Sequence, residues 1–254
     1  MTQQTKSYYE EIGWKPEGDT LVDLARWEDL RESSAAYNEL CERRIYRHIP
    51  QTGRRFLDVG CGPLLHAGLL RRTSSYAEYH CVDFSPDALA VAAQKLGPRG
   101  YCHRGDFMNL DLPRASFDCV VALSCLFHVE ADRQEKFVLR MLELAAPGAP
   151  VVVSYVNPDD FTHRIGLHEM LERQLPVYPS YAHYHVHPMS WWTKLASVAV
   201  ELHPVRTLRT VDQRNIIPSG PAGVAVLTTL ARLEAENPGL FLSHGHYYVA
   251  ILRR

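Results

Sequence analysis

The stretch FLDVGCGPLLHAGLL, residues 56–70, decides the fold. An apolar, strand-like run ends at Asp58 and Val59, glycines follow at positions 60 and 62, and an apolar segment compatible with a helix resumes after Pro63. In an open parallel sheet, ligands bind beyond the carboxyl ends of the strands, where the strand order reverses. Gly60 and Gly62 let the backbone turn tightly and approach a ligand without a Cβ in the way, and the amides at the start of the next helix are expected to face polar ligand groups. A glycine pair occurs in many loops, so its meaning depends on the residues downstream.

Outward from that turn the chain alternates. The apolar runs RFLDV, EYHCVD, GYCHRG, FDCVVALS and APVVVSYV are separated by helical stretches such as PDALAVAAQKL and RQEKFVLRMLELAA. Buried strands alternating with helices imply a parallel sheet covered on both faces. Ser85 reads as a helix N-cap with Pro86 in the first turn, and AAPGAP ends the helix before the fifth strand. Before the core, residues 20–48 carry a loose helical periodicity that predicts one or two helices. After Val156 the composition turns to His, Tyr and Pro without a central-strand pattern, which predicts an insertion over 157–192 acting as a lid or substrate wall. The remainder predicts a strand, an amphipathic helix near 221–236 and a final strand.

A chain of 254 residues, 46% hydrophobic, is long enough for one large domain or one domain with a lid. The net charge of -2 with scattered basic residues suggests neither a nucleic-acid footprint nor an anionic membrane surface, so a small molecule is the expected partner. The 6 cysteines form no CxxC pair, which suits reduced thiols. There is no apolar signal core at the start, and no stretch approaches the roughly 18 to 20 apolar residues needed to span a bilayer. The expectation is a soluble cytoplasmic protein.

Two acids downstream give the glycines their meaning. An acidic residue about 20 positions on is the usual partner of ribose hydroxyls, and CVDFS puts Asp83 at the end of the second core strand. RGDF then places Asp106 and Phe107 just past the third strand, where a carboxylate can accept from an exocyclic amine and an aromatic ring can cover an adenine.

In LDVGCG, VDFS, GDF, FDCVVAL, HV and LELAAPGA, taken in order over about residues 55–156, the sequence resembles the class I S-adenosylmethionine-dependent methyltransferases. YYEEIGW, AHYHVHP and GHYYVAIL also resemble a bacterial branch of small-molecule methyltransferases, similar to the type-11 group. The resemblance implies a Rossmann-like, doubly wound seven-stranded sheet with the last strand antiparallel, and S-adenosyl-L-methionine as cofactor. The pattern along the chain divides a single domain into an N-terminal helical cover (1–50), a cofactor-binding core (51–156), the lid (157–192) and C-terminal strands and helix (193–254). By resemblance, Gly60 and Gly62 meet the methionine part, Asp83 the ribose, and Asp106 with Phe107 the adenine, while Ser124 lies beneath the sulfonium; Asp58 and Phe84 are further cofactor-binding candidates. The family often has another small residue after the glycines, where this chain has Pro63, Leu64 and Leu65. A nicotinamide fingerprint would require glycine at Leu65 and leaves Asp106 and Phe107 without a role.

Methyl transfer needs alignment of an acceptor and, for a protonated acceptor, a base. His128 follows the fourth strand on the expected acceptor side and is the candidate base. His183, His185 and His187 alternate, so an extended backbone points them one way. They could hold an acidic acceptor, act as a base or bind a metal; no carboxylate sits at matching spacing, so no metal is expected. His185 is the second candidate catalytic residue. Tyr178, Tyr181, Tyr184, Trp191 and Trp192 are candidates for an aromatic acceptor pocket or for packing that closes the site, and Tyr8 and Tyr9 for a cover over the cofactor. Oxygen and nitrogen are the favoured acceptor atoms. The alternatives are a protein that binds S-adenosylmethionine for another reaction or as a sensor, and a nucleic-acid methyltransferase, which the SCLF sequence at 124–127 and the lack of a basic patch disfavour.

Overall fold

The computed structural model describes residues 2–173, 182–195 and 198–254. The N-terminal part holds α1 (Gln3–Tyr8), a π-turn over Tyr9–Gly13, a short hairpin of β1 (Pro16–Glu17) and β2 (Thr20–Leu21), α2 (Val22–Trp27) and α3 (Glu32–Tyr46). The sheet strands are β3 (Arg55–Val59), β4 (Glu78–Asp83), β5 (Gly100–Arg104), β6 (Cys119–Ala122), β7 (Val151–Val156), β8 (Ala199–Arg206) and β9 (Tyr247–Arg253). Between them run α4 (Ala67–Arg72), α5 (Pro86–Leu96), α6 (Ala131–Leu144), α7 (Phe161–Arg164), α8 (Leu167–Glu172), α9 (Thr210–Ile216), α10 (Gly220–Glu236) and α11 (Pro238–His244).

The strand order is β5-β4-β3-β6-β7-β9-β8, and β9 alone runs antiparallel to both of its neighbours. This is the expected doubly wound α/β sheet with the last strand reversed. Residues of β6 and β7 are buried on both faces, as strands sandwiched between helices must be. Pro204 cannot donate to a ladder, and it sits in β8 at the sheet edge beside a register shift between Pro204 and Arg206. The order reverses between β3 and β6, so the loops leaving these two strands flank the switch point.

Local chemistry explains the flanking helices. Ser85 caps α5, its hydroxyl accepting from the Ala88 amide at 3.2 Å, with Pro86 in the first turn. In α6, Gln134, Phe137, Val138, Met141, Leu142 and Leu144 are buried, a stripe with the 3-to-4-residue spacing of a helix laid on a sheet. Trp192, fully buried, donates its indole N–H to the Tyr248 hydroxyl at 2.6 Å. No helix among the described residues is long and apolar enough to cross a membrane.

Candidate active site

The glycine loop leaves β3 with its amides turned back onto the sheet. The Gly60 and Cys61 amides both donate to the Val82 carbonyl, at 2.8 and 3.2 Å, and the Gly62 amide donates to Asp83 Oδ2 at 3.0 Å. The expectation that a helix starting here would offer its amides to a ligand is corrected: α4 begins only at Ala67. Pro63 has no N–H to offer, and Leu64 stands at φ 51°, a left-handed conformation that cannot begin a helix. Lys95 of α5 holds this irregular segment by donating to the Pro63 and Leu64 carbonyls, each at 2.9 Å. Both glycines are required: Gly60 has φ 71° and a Cβ there would lie 2.8 Å from Cys125 Cβ, while Gly62 has φ 52° and a Cβ would lie 3.0 Å from the Trp14 ring.

Asp83 closes the same turn from β4. Its Oδ1 accepts from the Ser85 amide at 2.9 Å and its Oδ2 from Gly62, leaving about one lone-pair position free on each oxygen. Burial raises its pKa, opposed by those amides. Asp58, deeper at the end of β3, accepts from the Tyr79 hydroxyl at 2.8 Å, and burial pushes it up to about 6.

These groups line a cavity of about 390 Å³ at the switch point. Asp58, Gly60, Gly62, Asp83, Phe84, Ser124 and His128 all contribute to its wall, so the structure brings together seven of the residues singled out from the sequence. Ser124 leaves β6 at φ 56°, a strained conformation for a residue with a side chain, and its amide donates to Ser154 Oγ at 2.7 Å.

Asp106, Phe107 and His185 lie outside that wall. Phe107 packs in the core against Phe137, with ring centroids 4.7 Å apart and the Arg140 guanidinium 5.7 Å from its ring centre. Asp106 accepts from the Met108 amide at 3.0 Å and faces Arg133 at 3.4 Å. His185 is held by its backbone, the amide donating to the Phe127 carbonyl at 2.8 Å, while its ring meets His187 edge to face. His187 stacks on Trp191 at 4.8 Å, and Trp191 and Trp192 pack around Tyr155, so these rings belong to packing behind the cavity. Tyr178 and Tyr181 lie outside the described residues. Among the described residues no group of three His, Cys, Asp or Glu side chains is arranged to hold a metal.

His128 joins two covering segments. Its Nδ1 donates to the His183 carbonyl at 2.6 Å, which leaves Nε2 bare to accept from the Tyr9 hydroxyl at 3.3 Å. Burial holds its pKa down to about 4, so the ring is neutral in this tautomer near neutral pH. Tyr9 stacks on Trp14 at 4.8 Å, and Trp14 lies on Gly62 with a buried indole N–H that has no partner among the described residues. The opposite wall carries charges that sequence reasoning missed: Asp23, Glu28 and Arg206, with Tyr247 beside them. Asp23 accepts from the Tyr8 hydroxyl at 3.0 Å and is pushed up to about 6 by burial. They come from α2, the end of β8 and the start of β9, and no local motif links segments so far apart.

Comparison with known proteins bears on this site. Residues 56–148 match the family model described as a methyltransferase domain. The chain is similar to ajmaline N-methyltransferase of Rauvolfia serpentina, 29% identical over 175 residues, covering 65% of this chain and 57% of that protein. It is also similar to norajmaline N-methyltransferase of the same plant, 31% identical over 121 residues, covering 44% and 40%. The matched part thus spans about half the length of these relatives. Among solved structures, the N-methyltransferase NodS of Bradyrhizobium japonicum WM9, in complex with S-adenosyl-L-homocysteine, aligns with TM-score 0.60 over 99% of both chains at 14% identity, a likeness of fold.

Proposed function

We propose that the chain is a class I S-adenosylmethionine-dependent methyltransferase that transfers a methyl group from S-adenosyl-L-methionine to the nitrogen of a small-molecule acceptor, a reading supported by the match of residues 56–148 to a methyltransferase domain. The observation that carries this reading is the coupling of the glycine loop to Asp83 at the switch point, through the Gly62 amide. The named activities of the N-methyltransferases it is similar to support nitrogen over oxygen as the acceptor atom.

The cavity fits the cofactor. Asp83 keeps about one lone pair per oxygen for the two ribose hydroxyls. Gly62 admits a chain that a Cβ would obstruct, and the partnerless indole N–H of Trp14 supplies a donor beside it for a carboxylate. When bound, S-adenosylmethionine supplies an electrophilic methyl group on a sulfonium. The protein's share is to align, enclose and manage protons. Tyr9 and Trp14 shut water out from above the glycine loop, and Ser124 and Tyr247 form the floor beside the acceptor. His128, with both ring nitrogens engaged and a pKa near 4, serves as a clasp for the covers in preference to a base. Asp106, with Phe107 in the core behind it, stays the candidate at the adenine edge. The 6 free cysteines support a reducing, cytoplasmic location.

The experiment is direct. Purified protein is incubated with methyl-labelled S-adenosylmethionine and small amines, and both the label and S-adenosylhomocysteine are followed. Labelled amine formed in step with S-adenosylhomocysteine is the expected result. Cofactor binding with turnover of an amine but no label in the product would replace this reading by a non-methylating one.

A further inference from the structure

Two opposite charges share the cavity wall without forming an ion pair. Glu28 and Arg206 line the same cavity, and each is the other's electrostatic neighbour. No ion pair within 4.0 Å joins them. The contrast with nearby arginines is instructive: Arg31 meets Asp29 at 2.7 Å, Arg44 meets Glu234 at 2.6 Å and Arg209 meets Asp212 at 2.7 Å. Arg206 instead gives one N–H to Asn38 Oδ1 at 2.8 Å and rests 5.9 Å from the Tyr37 ring centre, with no carboxylate in contact among the described residues. Glu28 has the Thr210 side chain beside it, but that hydroxyl donates to the Trp27 carbonyl at 2.8 Å. Both are part-buried, and although His66 is a further electrostatic neighbour of Glu28, a ligand that meets both charges offsets the cost of holding them apart.

We propose that Glu28 and Arg206 are the two ends of the acceptor site and that the acceptor is an amino carboxylate, its ammonium group against Glu28 and its carboxylate against Arg206. This rests on the methyl-transfer reading above and specifies its acceptor. Position supports it. Glu28, Arg206, Tyr247 and Ser124 line one cavity, so the pair shares it with the residue that leaves β6 at the switch point. Asp23 adds negative charge at the ammonium end, close enough to Glu28 for each carboxylate to feel the other.

The pair also supplies a proton route. An ammonium nitrogen has no free lone pair and must lose a proton before it attacks a carbon; a Glu28 oxygen receives that proton, and the freed lone pair forms the new N–C bond as the methyl carbon's bond to sulfur breaks, its electron pair staying on the sulfur of S-adenosylhomocysteine. Burial favours the protonated Glu28 carboxyl, which makes this carboxylate a better proton acceptor than one in water. The planar fork of Arg206 suits a carboxylate, holding the acceptor's other end still while the proton leaves.

The test uses the whole chain in complex with S-adenosylhomocysteine, titrated in a calorimeter with the common amino acids and with their decarboxylated and deaminated counterparts. At least one amino carboxylate is expected to bind, with both of its counterparts weaker by about tenfold or more. Glu28→Gln should abolish the preference over the deaminated counterpart, and Arg206→Gln the preference over the decarboxylated one. If Arg206→Gln fails to fold, the Glu28→Gln arm decides alone. The inference falls if no amino carboxylate binds, if a simple amine binds as tightly, or if folded Glu28→Gln keeps full affinity and preference. Failure of S-adenosylhomocysteine itself to bind removes the methyl-transfer reading as well, whereas its binding without any amino carboxylate removes this inference only.

Discussion

Asp83→Asn separates what Asp83 does for the cofactor from what it does for the fold. The wild-type carboxylate accepts two backbone amides, from Gly62 and Ser85, and is expected to accept two ribose hydroxyls. A hydrogen bond to a charged acceptor contributes about 1.5–3 kcal/mol and one to a neutral acceptor about 0.5–1.5. Replacing two of the former by at best two of the latter costs about 2 kcal/mol of cofactor binding, a loss on the order of thirtyfold. Stability behaves differently. Asparagine has one carbonyl for two amides, so one amide loses its acceptor. Against that, burial raises the Asp83 pKa, which means that the ionised group destabilises the folded state at neutral pH, and asparagine removes this penalty. The opposed effects leave the unfolding free energy within about 1 kcal/mol of wild type. Calorimetric titration with S-adenosylmethionine, paired with urea unfolding, measures both quantities. Unchanged affinity in a folded variant, or affinity and stability falling in parallel, would show that Asp83 is only a pin for the loop.

Four further outcomes are expected. Gly62→Ala imposes a left-handed alanine and pushes a methyl to 3.0 Å from Trp14, so it should cost about 1 kcal/mol or more in stability and weaken cofactor binding; a variant with wild-type cofactor affinity would remove Trp14 from the cofactor site. His128, held near 4 when folded and near 6.5 when unfolded, takes up a proton only in the unfolded chain between those values, so its stabilising effect is whole above pH 6.5 and is lost as pH falls. Urea titrations at pH 7 and pH 5 should show wild type losing about 2 kcal/mol more than His128→Gln on acidification, and equal losses would contradict the buried neutral ring. The same variant should keep kcat within about tenfold, because a clasp rather than a base is removed, and a drop of about 10²-fold or more would return His128 to the role of base. Hydrogen exchange over 182–192, within the lid at 157–192, should slow when cofactor and acceptor are both bound, and equal exchange in free and bound states would end the lid reading.

The parts of the site legible in the sequence are those written in consecutive residues. The strand RFLDV, its glycines and Asp83 lie in two adjacent parallel strands, so a spacing of about 20 residues translates directly into contact through Gly62. The α5 cap is readable for the same reason, since Ser85 and Pro86 act within one turn. Phe107 shows where local reading stops: its place after β5 is clear, but Phe137 and Arg140, on a helix some 30 residues later, draw its ring into the core. The start of α4 is hidden from sequence because apolar residues after Pro63 look helical, while the left-handed Leu64 is imposed by tertiary contacts such as those from Lys95. Glu28 and Arg206 carry no signal of their own, as a charged residue at a helix end and one at a strand end look like ordinary surface positions until the fold encloses them.

The placement of one imidazole has a kinetic consequence. The His128 ring ties the N-terminal segment, through Tyr9, to the chain at His183, beside a direct bond from the His183 amide to Thr5 Oγ1 at 2.9 Å. Freeing one nitrogen alters the basicity of the other, and the two attachments are therefore released together more readily than one at a time. Loosening of one segment is then expected to loosen the other, and a substitution at Tyr9 that speeds loss of a bound cofactor is expected to speed loss of a bound acceptor as well.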